Sequence, residues 1–375
     1  MKHFFGFLIA LVVIMKAFEL APSTKAPLEK EMGEAFQASI IQTSLQSETK
    51  PSETKTLLNL LELSIDTERD LSKGLEVMDQ APQTEENKKL IQLYEAKILA
   101  RTLDFETAQQ LLKGLNDEEI VLVKAAVLIA EGDRNQAGAY LHDLANHHPN
   151  PEIKLTAVSL LNVYRTFDRH RDADESYLWT LFAQKLGDLG ELEISLYLAE
   201  KAIEKNPEYR DAWIIKGYNE LTLKQPDAAE LSLLTAYKLD PGNPHIQYLL
   251  GLAYYELKKP ELSTQYLLYS RSAEKQYESI ILEKLAENAI ETKEYPLAGH
   301  YFEELLTLDA LDQKALSQLI WLQVEHLNQI QKAIENAHFL ISTAPTEENY
   351  KLLSWALAKS GDTEAAAQIL EKTQN

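Results

Sequence analysis

The sequence contains few groupings of residues that could perform chemistry. It has no cysteine, which excludes disulfides, thiolate metal ligands and cysteine nucleophiles. No catalytic ordering of serine, histidine and aspartate stands out, nor does a glycine-rich phosphate loop or an isolated pair of carboxylates. We therefore predict a protein that is not an enzyme and that needs no cofactor.

Three histidines lie close together in the first half of the chain. His142, His147 and His148 are near Asp143, and imidazole and carboxylate groups are common zinc ligands. These residues fall at the end of a predicted helix and in the loop after it, where polar side chains are common for other reasons. We predict no metal site here.

A run of acidic residues further on faintly resembles a calcium-binding loop. It contains Asp168, Asp172, Asp174 and Glu175. The glycine that makes the sharp turn of such a loop is missing, and so is the spaced glutamate that closes it. We predict that these carboxylates are structural and bind no metal.

The elements that would position any functional residue are helices, and one stretch defines them. From Arg210 to Asn243, apolar residues recur at spacings of three and four in two bursts, Trp213–Leu223 and Ala228–Leu239. Pro226 suits the first turn of the second helix, where a missing N–H costs nothing. Asp240-Pro241-Gly242-Asn243 then stops that helix. This stretch predicts a helix, a tight turn, a second helix and a stop.

The same unit recurs when the chain is shifted by 34 residues. The shift aligns these pairs: Trp179 with Trp213, Ala202 with Ala236, Gly217 with Gly251, and Pro226 with Pro260. A 34-residue period with Trp, Gly, Ala and Pro in this order resembles the tetratricopeptide (TPR) repeat family. The resemblance covers Ser176 to Pro345 well. It implies an all-α fold, a right-handed TPR superhelical solenoid of helix-turn-helix repeats.

Small residues recur where the two helices of a hairpin should cross. They are Gly217 and Gly251 on first helices, with Ala183 and Ala286 in the same slot, and Ala229 and Ala298 on second helices. A hairpin of this kind cannot bury its apolar stripe alone, so stacked copies must share one continuous core.

The resemblance implies that first helices line a concave groove. The second, fifth, ninth and twelfth positions of each unit would then face the groove, and aromatic side chains that packing does not need are common at binding sites. The predicted peptide-binding residues are Tyr218, Tyr248, Tyr255, Glu283, Glu287, Trp321 and Trp355. We expect Tyr248 and Tyr255 to lie outside the hairpin core. The alternative is that these side chains only fill the interior of the superhelix.

One recognition feature of the family is absent. TPR domains that grip a C-terminal carboxylate carry Lys and Asn at the fifth and ninth positions. Here these positions hold Ile214 and Tyr218, then Tyr248 and Leu252. We expect instead a peptide with apolar side chains and one or two Lys or Arg, which Glu283 and Glu287 would attract.

The N-terminal segment, residues 1–21, reads as a targeting element. Lys2 precedes twelve uncharged residues, Phe4 to Met15, and Lys16 follows. Twelve residues are few for a spanning helix and suit a secretory signal peptide. However, Ala21 is a poor signal-peptidase site, because Glu19 occupies a position that requires a small residue and Pro22 follows the bond. We predict an uncleaved anchor, with a cleaved signal peptide or a soluble helix as alternatives. The first two would place the repeats outside the cytoplasm.

Composition divides the remaining chain into three parts. Residues 22–55 are rich in Ser, Thr, Lys, Glu and Pro and predict a disordered tether with one apolar island, Phe36–Leu45. Residues 56–175 predict an N-terminal helical cap and degenerate repeats, including a single helix from Glu152 to Tyr164 followed by a charged run. Residues 176–375 predict a regular TPR array.

The overall charge narrows the class of partner. The chain has 37 Lys and Arg against 58 Asp and Glu, a formal net charge of −21, which disfavours nucleic acid and anionic lipid headgroups. We predict a non-catalytic protein-interaction scaffold of the bacterial cell envelope, anchored in the inner membrane with periplasmic repeats, that binds a peptide or protein partner to assist assembly or secretion. The alternatives are a polysaccharide-binding accessory subunit of exopolysaccharide synthesis or export, and a cytosol-facing, membrane-tethered adaptor.

Overall fold

The computed structural model describes residues 53–113, 115, 120–170 and 173–371, and within these ranges it contains helices and no strand. The predicted targeting segment and nearly all of the predicted tether lie outside the described residues. The described residues fall into two compact units: the first is 53–99 with 106–113 and 115, and the second is 100–105 with 120–170 and 173–371. No helix in the described ranges is both long enough and apolar enough to cross a membrane.

The first unit is a small helical assembly. Its helices begin with α1 and continue through a π-helical turn, Glu62–Thr67, before α2. Packing is close here, since a Cβ atom on Gly74 would lie 2.3 Å from Ile65 Cγ1. The helix bounds are α1 Glu53–Leu61, α2 Leu71–Gln80, α3 Glu85–Arg101 and α4 Phe105–Leu112; the last residues of α3 and the first of α4 belong to the second unit.

The second unit consists of consecutive helical hairpins. The bounds of its helices are α5 Ile120–Glu131, α6 Arg134–His147, α7 Pro151–Arg169, α8 Glu175–Asp188, α9 Leu192–Lys205, α10 Arg210–Thr222, α11 Pro226–Leu239, α12 Pro244–Glu256, α13 Pro260–Arg271, α14 Glu278–Glu291, α15 Tyr295–Leu308, α16 Gln313–Glu325, α17 Ile330–Thr343, α18 Glu347–Ser360 and α19 Thr363–Glu371. From α8 onward each first helix packs on the second helix of its own hairpin, and each second helix packs on the next hairpin. The predicted all-α solenoid of helix-turn-helix repeats is confirmed.

The turn inside each hairpin follows one backbone rule. A residue with positive φ stands two positions before every second helix from α9 to α19, at intervals of 33 to 35 residues. At Lys224, with φ of 59°, the turn is closed by a bond of 2.8 Å from Gln225 N–H to Glu220 C=O. This six-to-one bond satisfies a carbonyl that the helix end leaves open. The positive-φ residues are Gly190, Lys224, Lys258, Lys293, Asn328 and Gly361.

The two helices of a hairpin touch where the sequence predicted. A Cβ atom on Gly217 would lie 2.5 Å from Leu233 Cγ, and one on Gly251 would lie 2.7 Å from Leu267. Contacts below 3.0 Å force a neighbour to move, so a larger side chain at Gly217 would push the two helices apart. The predicted role of these glycines in close helix packing is confirmed.

Neighbouring hairpins are joined by a buried polar contact that recurs. Ser195 on α9 donates to the carbonyl of Ala183 on α8 and accepts a bond of 2.7 Å from Asn219 Nδ2 on α10. Ser263 and Asn288 repeat the arrangement two hairpins later, at 2.8 Å. In the hairpin between them, Ala229 and Ala253 occupy the corresponding positions. The interface therefore accepts either a polar pair or an apolar pair.

A double-mutant cycle tests this contact. Ser195→Ala leaves the buried Nδ2 of Asn219 without its acceptor, and we expect a loss of about 1–3 kcal/mol in the free energy of unfolding. Adding Asn219→Ala should cost less in that background than in the wild type, because the second substitution then removes an unpaired polar group. Urea unfolding of the four proteins measures the coupling. Losses that simply add would contradict a direct bond between the two side chains.

One helix departs from the sequence prediction. The single helix expected at Glu152–Tyr164 extends to Arg169, so the first residues of the charged run are helical. Two contacts hold this extension: Arg134 on α6 pairs with Asp168, and its guanidinium lies 5.0 Å from the centre of the Tyr164 ring. The extension also contains Phe167, whose ring centre lies 6.5 Å from that of Tyr177, so residues beyond the predicted helix end contact neighbouring helices on both sides.

Candidate functional site

First helices of consecutive hairpins contact one another from α8 to α14 and again between α16 and α18. We call the surface that they form at the second, fifth, ninth and twelfth positions of each unit the first-helix face. It carries the seven residues predicted from the sequence to bind a peptide: Tyr218, Tyr248, Tyr255, Glu283, Glu287, Trp321 and Trp355.

Tyr218 is the predicted residue that solvent reaches most easily. Its residue exposure is 48%, which is high for a large aromatic side chain on a helix that packs against others. Trp321 and Trp355 are half-buried, and so are Glu283 and Glu287. Only Tyr218 therefore offers a largely exposed aromatic surface among the predicted residues.

The expectation that Tyr248 and Tyr255 would lie outside the packed core is wrong. Tyr248 is 5% exposed and belongs to the main apolar cluster of α11 to α16, and Tyr255 is 4% exposed. The positions of Tyr248 and Tyr255 on α12 do direct both side chains toward the first-helix face. However, the next first helix and the loop before it cover them, so a partner cannot reach most of either ring without a rearrangement.

Tyr248 is the centre of what we call the tyrosine cluster: Tyr218, Tyr248, Tyr277, His245 and Glu274. The rings of Tyr248 and Tyr277 are stacked, with centroids 4.4 Å apart and planes within 3°. His245 lies about equally near both rings, at 6.1 Å and 6.0 Å. Burial raises the pKa of Tyr248, and the neighbouring hydroxyls of Tyr277 and Tyr218 and the carboxylate of Glu274 add to the effect. The hydroxyl of Tyr248 therefore stays protonated, and a phenol hydroxyl can both donate and accept hydrogen bonds.

Tyr255 belongs to a second group, the ionic cluster: Tyr255, Glu283, Lys284, Glu287 and Lys314. Lys284 is 1% exposed, and its Nζ lies 2.9 Å from Glu287 and 4.4 Å from the centre of the Tyr255 ring. Lys314, from the next first helix, pairs with Glu283 and lies 3.2 Å from Glu287. Burial opposes the charged form of Glu287, but Lys284 and Lys314 outweigh it, and the pKa of Glu287 lies below its ordinary value.

The pairing of Glu283 and Glu287 with lysines contradicts the charge preference predicted from the sequence for the partner. Glu283 and Glu287 were expected to attract a positively charged partner, yet two lysines already neutralise the two carboxylates. Opposite charges held within about 4 Å cancel most of each other's field at longer range. We correct that expectation: the ionic cluster joins two hairpins and is a poor site for recognising a cation.

The two tryptophans lie in different environments. Trp321 packs against the main apolar cluster and meets His326 edge to face at 4.8 Å, and His326 stacks on Tyr295 at 3.6 Å. Trp355 packs against a separate apolar cluster nearer the C-terminus, with Lys359 5.9 Å from its ring centre. The structure therefore brings Tyr218 and Tyr248 together, but it does not gather all the predicted aromatics into one site.

The residues considered as metal ligands have structural roles. His147 pairs with Asp143 one turn earlier on α6, at 2.9 Å, and both side chains are largely exposed. In the acidic run, Asp168 pairs with Arg134, Asp174 caps α8 through Ser176 N–H, and Asp172 lies outside the described residues. In the described ranges no three His, Asp or Glu side chains are arranged to hold a metal ion.

Sequence reasoning missed three residues that shape the first-helix face. Glu274 and Tyr277 lie in the segment between α13 and α14, where Lys275–Tyr277 form a short 3-10 helix. The 34-residue repeat assigns a face only to positions within the two helices of each hairpin. Lys284 follows Glu283 directly and would be expected to point away from it, yet its long side chain curls back to the same carboxylates. A loop longer than its counterparts in the other hairpins was the available signal for the first two.

No protein-family model and no curated protein sequence matches this chain. Solved structures of similar fold include PilW, described as a widely conserved type IV pilus biogenesis factor, with a TM-score of 0.43 and 17% identity over 54% of this chain and 93% of that one. PilF of Pseudomonas aeruginosa gives a TM-score of 0.42 and 20% identity over 52% of this chain and 88% of that one. YrrB, a TPR protein described as having an unusual peptide-binding site, gives 0.44 and 17% over 53% and 97%.

Proposed function

We propose that this chain, whose stacked helical hairpins have the tetratricopeptide-repeat fold, is a non-catalytic scaffold that binds a protein or peptide partner on its first-helix face. The observation that carries the proposal is Tyr218. Tyr218 is 48% exposed, whereas Tyr248 on the next first helix is 5% exposed. Packing does not require this aromatic surface, and exposed Tyr is enriched among residues that dominate binding energy.

The repeat architecture supports an extended contact. Consecutive first helices align their side chains along one surface, so a bound segment can contact several hairpins without any of them changing conformation. The face positions carry both apolar side chains, such as Ile214 and Leu221, and polar ones, such as Asp211 and His245. An elongated peptide segment suits it better than a compact small molecule.

Capture experiments with a matched pair of tyrosine variants test the proposal. Detergent extracts of cells that make the protein would be passed over immobilised wild type, Tyr218→Ala and Tyr269→Ala. Tyr269 on α13 is 62% exposed but lies on a second helix, so it controls for loss of an exposed tyrosine. We expect Tyr218→Ala to reduce partner recovery at least tenfold, since loss of a binding hot spot costs about 2 kcal/mol or more.

Equal recovery with all three proteins would remove the first-helix face as the binding surface. Equal losses with Tyr218→Ala and Tyr269→Ala would mean that exposed aromatics act without regard to position. Either result counts against the proposed site.

We further propose that the scaffold works in a bacterial envelope, held at the inner membrane by residues 1–21 with its repeats in the periplasm. This rests on the apolar run Phe4–Met15 between Lys2 and Lys16 and on the lack of a good cleavage site after it. We expect the mature protein to fractionate with membranes and to keep its N-terminal segment. N-terminal sequencing that begins near Pro22 or Lys25 would refute the anchor.

A further inference from the structure

Next to the first-helix face, one buried carboxylate has no lysine or arginine within ion-pair distance among the described residues. Glu274, in the loop between α13 and α14, is 8% exposed. Gln276 Nε2 donates to its Oε2 at 2.7 Å, and His245 Nδ1 lies 3.8 Å away. Glu283 and Glu287, in contrast, are each paired with lysine. A buried carboxylate is costly unless a cation or several hydrogen bonds compensate it, so Glu274 is placed to receive a cation from outside.

Aromatic side chains lie close to the same carboxylate. His245, whose Nδ1 is 3.8 Å from Glu274, also lies 6.1 Å and 6.0 Å from the ring centres of Tyr248 and Tyr277, and these two rings are parallel and 4.4 Å apart. The hydroxyl of Tyr218, on the neighbouring first helix, and the carboxylate of Glu274 both add to the raised pKa of Tyr248. Aromatic rings attract cations, and phenol oxygens accept hydrogen bonds. The tyrosine cluster therefore offers aromatic rings, phenol oxygens and one negative charge.

This combination matches a guanidinium group better than the other charged groups of proteins. A guanidinium is planar, stacks on aromatic rings and spreads five N–H donors around its edge. An ammonium group is compact and strongly hydrated, so it loses more when water is removed. An anion would be repelled by Glu274, and no lysine or arginine within ion-pair distance of that carboxylate offsets it.

Solvent reaches the members of the cluster to different extents. Tyr218 is 48% exposed and the His245 side chain 37% exposed, whereas the Glu274 side chain is 10% exposed. An approaching side chain would thus find the rings of Tyr218 and His245 more accessible than the carboxylate.

We propose that the partner inserts an arginine side chain into the tyrosine cluster, with the guanidinium stacked against Tyr218 and paired with Glu274. The proposal deepens the proposed function and rests on it, since it names the chemistry recognised at one point of the first-helix face. Glu274 and Tyr218 are the residues that select the arginine. Tyr248 and Tyr277 form the floor against which it rests.

Two small probes of the same shape test this step without the unknown partner. N-acetyl-arginine N-methylamide carries the guanidinium, and the citrulline counterpart replaces it by a neutral urea group. The full chain, with its tyrosine rings labelled with carbon-13, would be titrated with each and followed by NMR. We expect saturable shifts at Tyr218 and Tyr277 with the arginine probe, and at least tenfold weaker binding of the citrulline probe.

Variants separate recognition from structure. Glu274→Gln keeps the hydrogen bond with Gln276 and removes the charge, so arginine binding should be lost while the thermal midpoint stays equal or rises. Glu303→Gln, at an exposed position of α15, should change neither. Equal binding of the two probes, unchanged arginine binding by Glu274→Gln, or shifts at tyrosines outside the cluster would each overturn the proposal.

Its failure can be told from failure of the proposed function. If Tyr218→Ala loses the captured partner while the arginine probe does not bind, the face binds its partner through other chemistry. If the probe binds as described but Tyr218→Ala captures the partner normally, the arginine site exists and the partner uses another surface.

Discussion

Replacing Lys284 by alanine is expected to lower the free energy of unfolding by about 3–5 kcal/mol, the cost of removing one partner from a buried ion pair. Lys284 is 1% exposed, pairs with Glu287 at 2.9 Å and lies over the Tyr255 ring. Its loss leaves the carboxylate of Glu287 in a poorly hydrated place with Lys314 as its remaining cation. Urea unfolding followed by circular dichroism measures the change.

The control is another lysine of the same region. Lys275 pairs with Glu278 at 3.1 Å but is 64% exposed, and exposed pairs contribute little. Lys275→Ala should therefore change stability by less than about 1 kcal/mol. If Lys284→Ala and Lys275→Ala lowered the free energy of unfolding by similar amounts, the burial of Lys284 would not contribute to stability.

The effect of pH gives an independent check on Lys284. In the wild type the pKa of Glu287 is lowered, so its contribution to stability is complete above the unfolded-state pKa and is lost as pH falls through the folded-state value. Without Lys284, burial opposes ionisation with less compensation, and the pKa of Glu287 should rise. The gap between wild type and Lys284→Ala should then narrow as the solution is acidified below about pH 4, near the ordinary pKa of glutamate. A gap that is constant with pH would mean that the loss is one of packing.

Replacing Tyr248 and Tyr255 together by alanine is expected to unfold the central hairpins at ordinary temperature. Each ring is at most 5% exposed, and truncating one buried large aromatic side chain costs about 3–5 kcal/mol. Tyr248 also loses its stacking on Tyr277, and Tyr255 its contact with Lys284. Since hairpins depend on their neighbours, the loss should spread from α12 to the adjoining units.

Thermal melts of matched variants test this result. Tyr218→Ala, in the same face but 48% exposed, should stay within about 0.5 kcal/mol of wild type, as surface substitutions usually do. Tyr248→Phe keeps the ring and should retain most of the stability. A double alanine variant that melts like wild type would contradict the burial of these rings and would return them to the set of accessible binding residues.

The sequence by itself determined the repeat. Three patterns revealed it: the 34-residue period, the helix-stopping residues before each new helix, and the small residues where two helices cross. Each pattern is visible in the sequence because it depends only on the backbone of one hairpin. Pro226 begins α11 and Gly217 meets Leu233 as expected from these patterns. The position of each residue within the 34-residue repeat also indicated which side chains of the first helices point to a common face. Tyr218 lies on that face and is exposed.

Only the tertiary structure decided which of those side chains remain accessible. Periodicity gives the direction in which Tyr248 leaves its helix, but not the distance to the next hairpin or the path of the loop that carries Glu274 and Tyr277. The neutralisation of Glu287 likewise depends on Lys314, which lies 27 residues further along and is brought near by stacking. Burial and charge pairing between hairpins are properties of their packing, and a pattern within one repeat does not contain them.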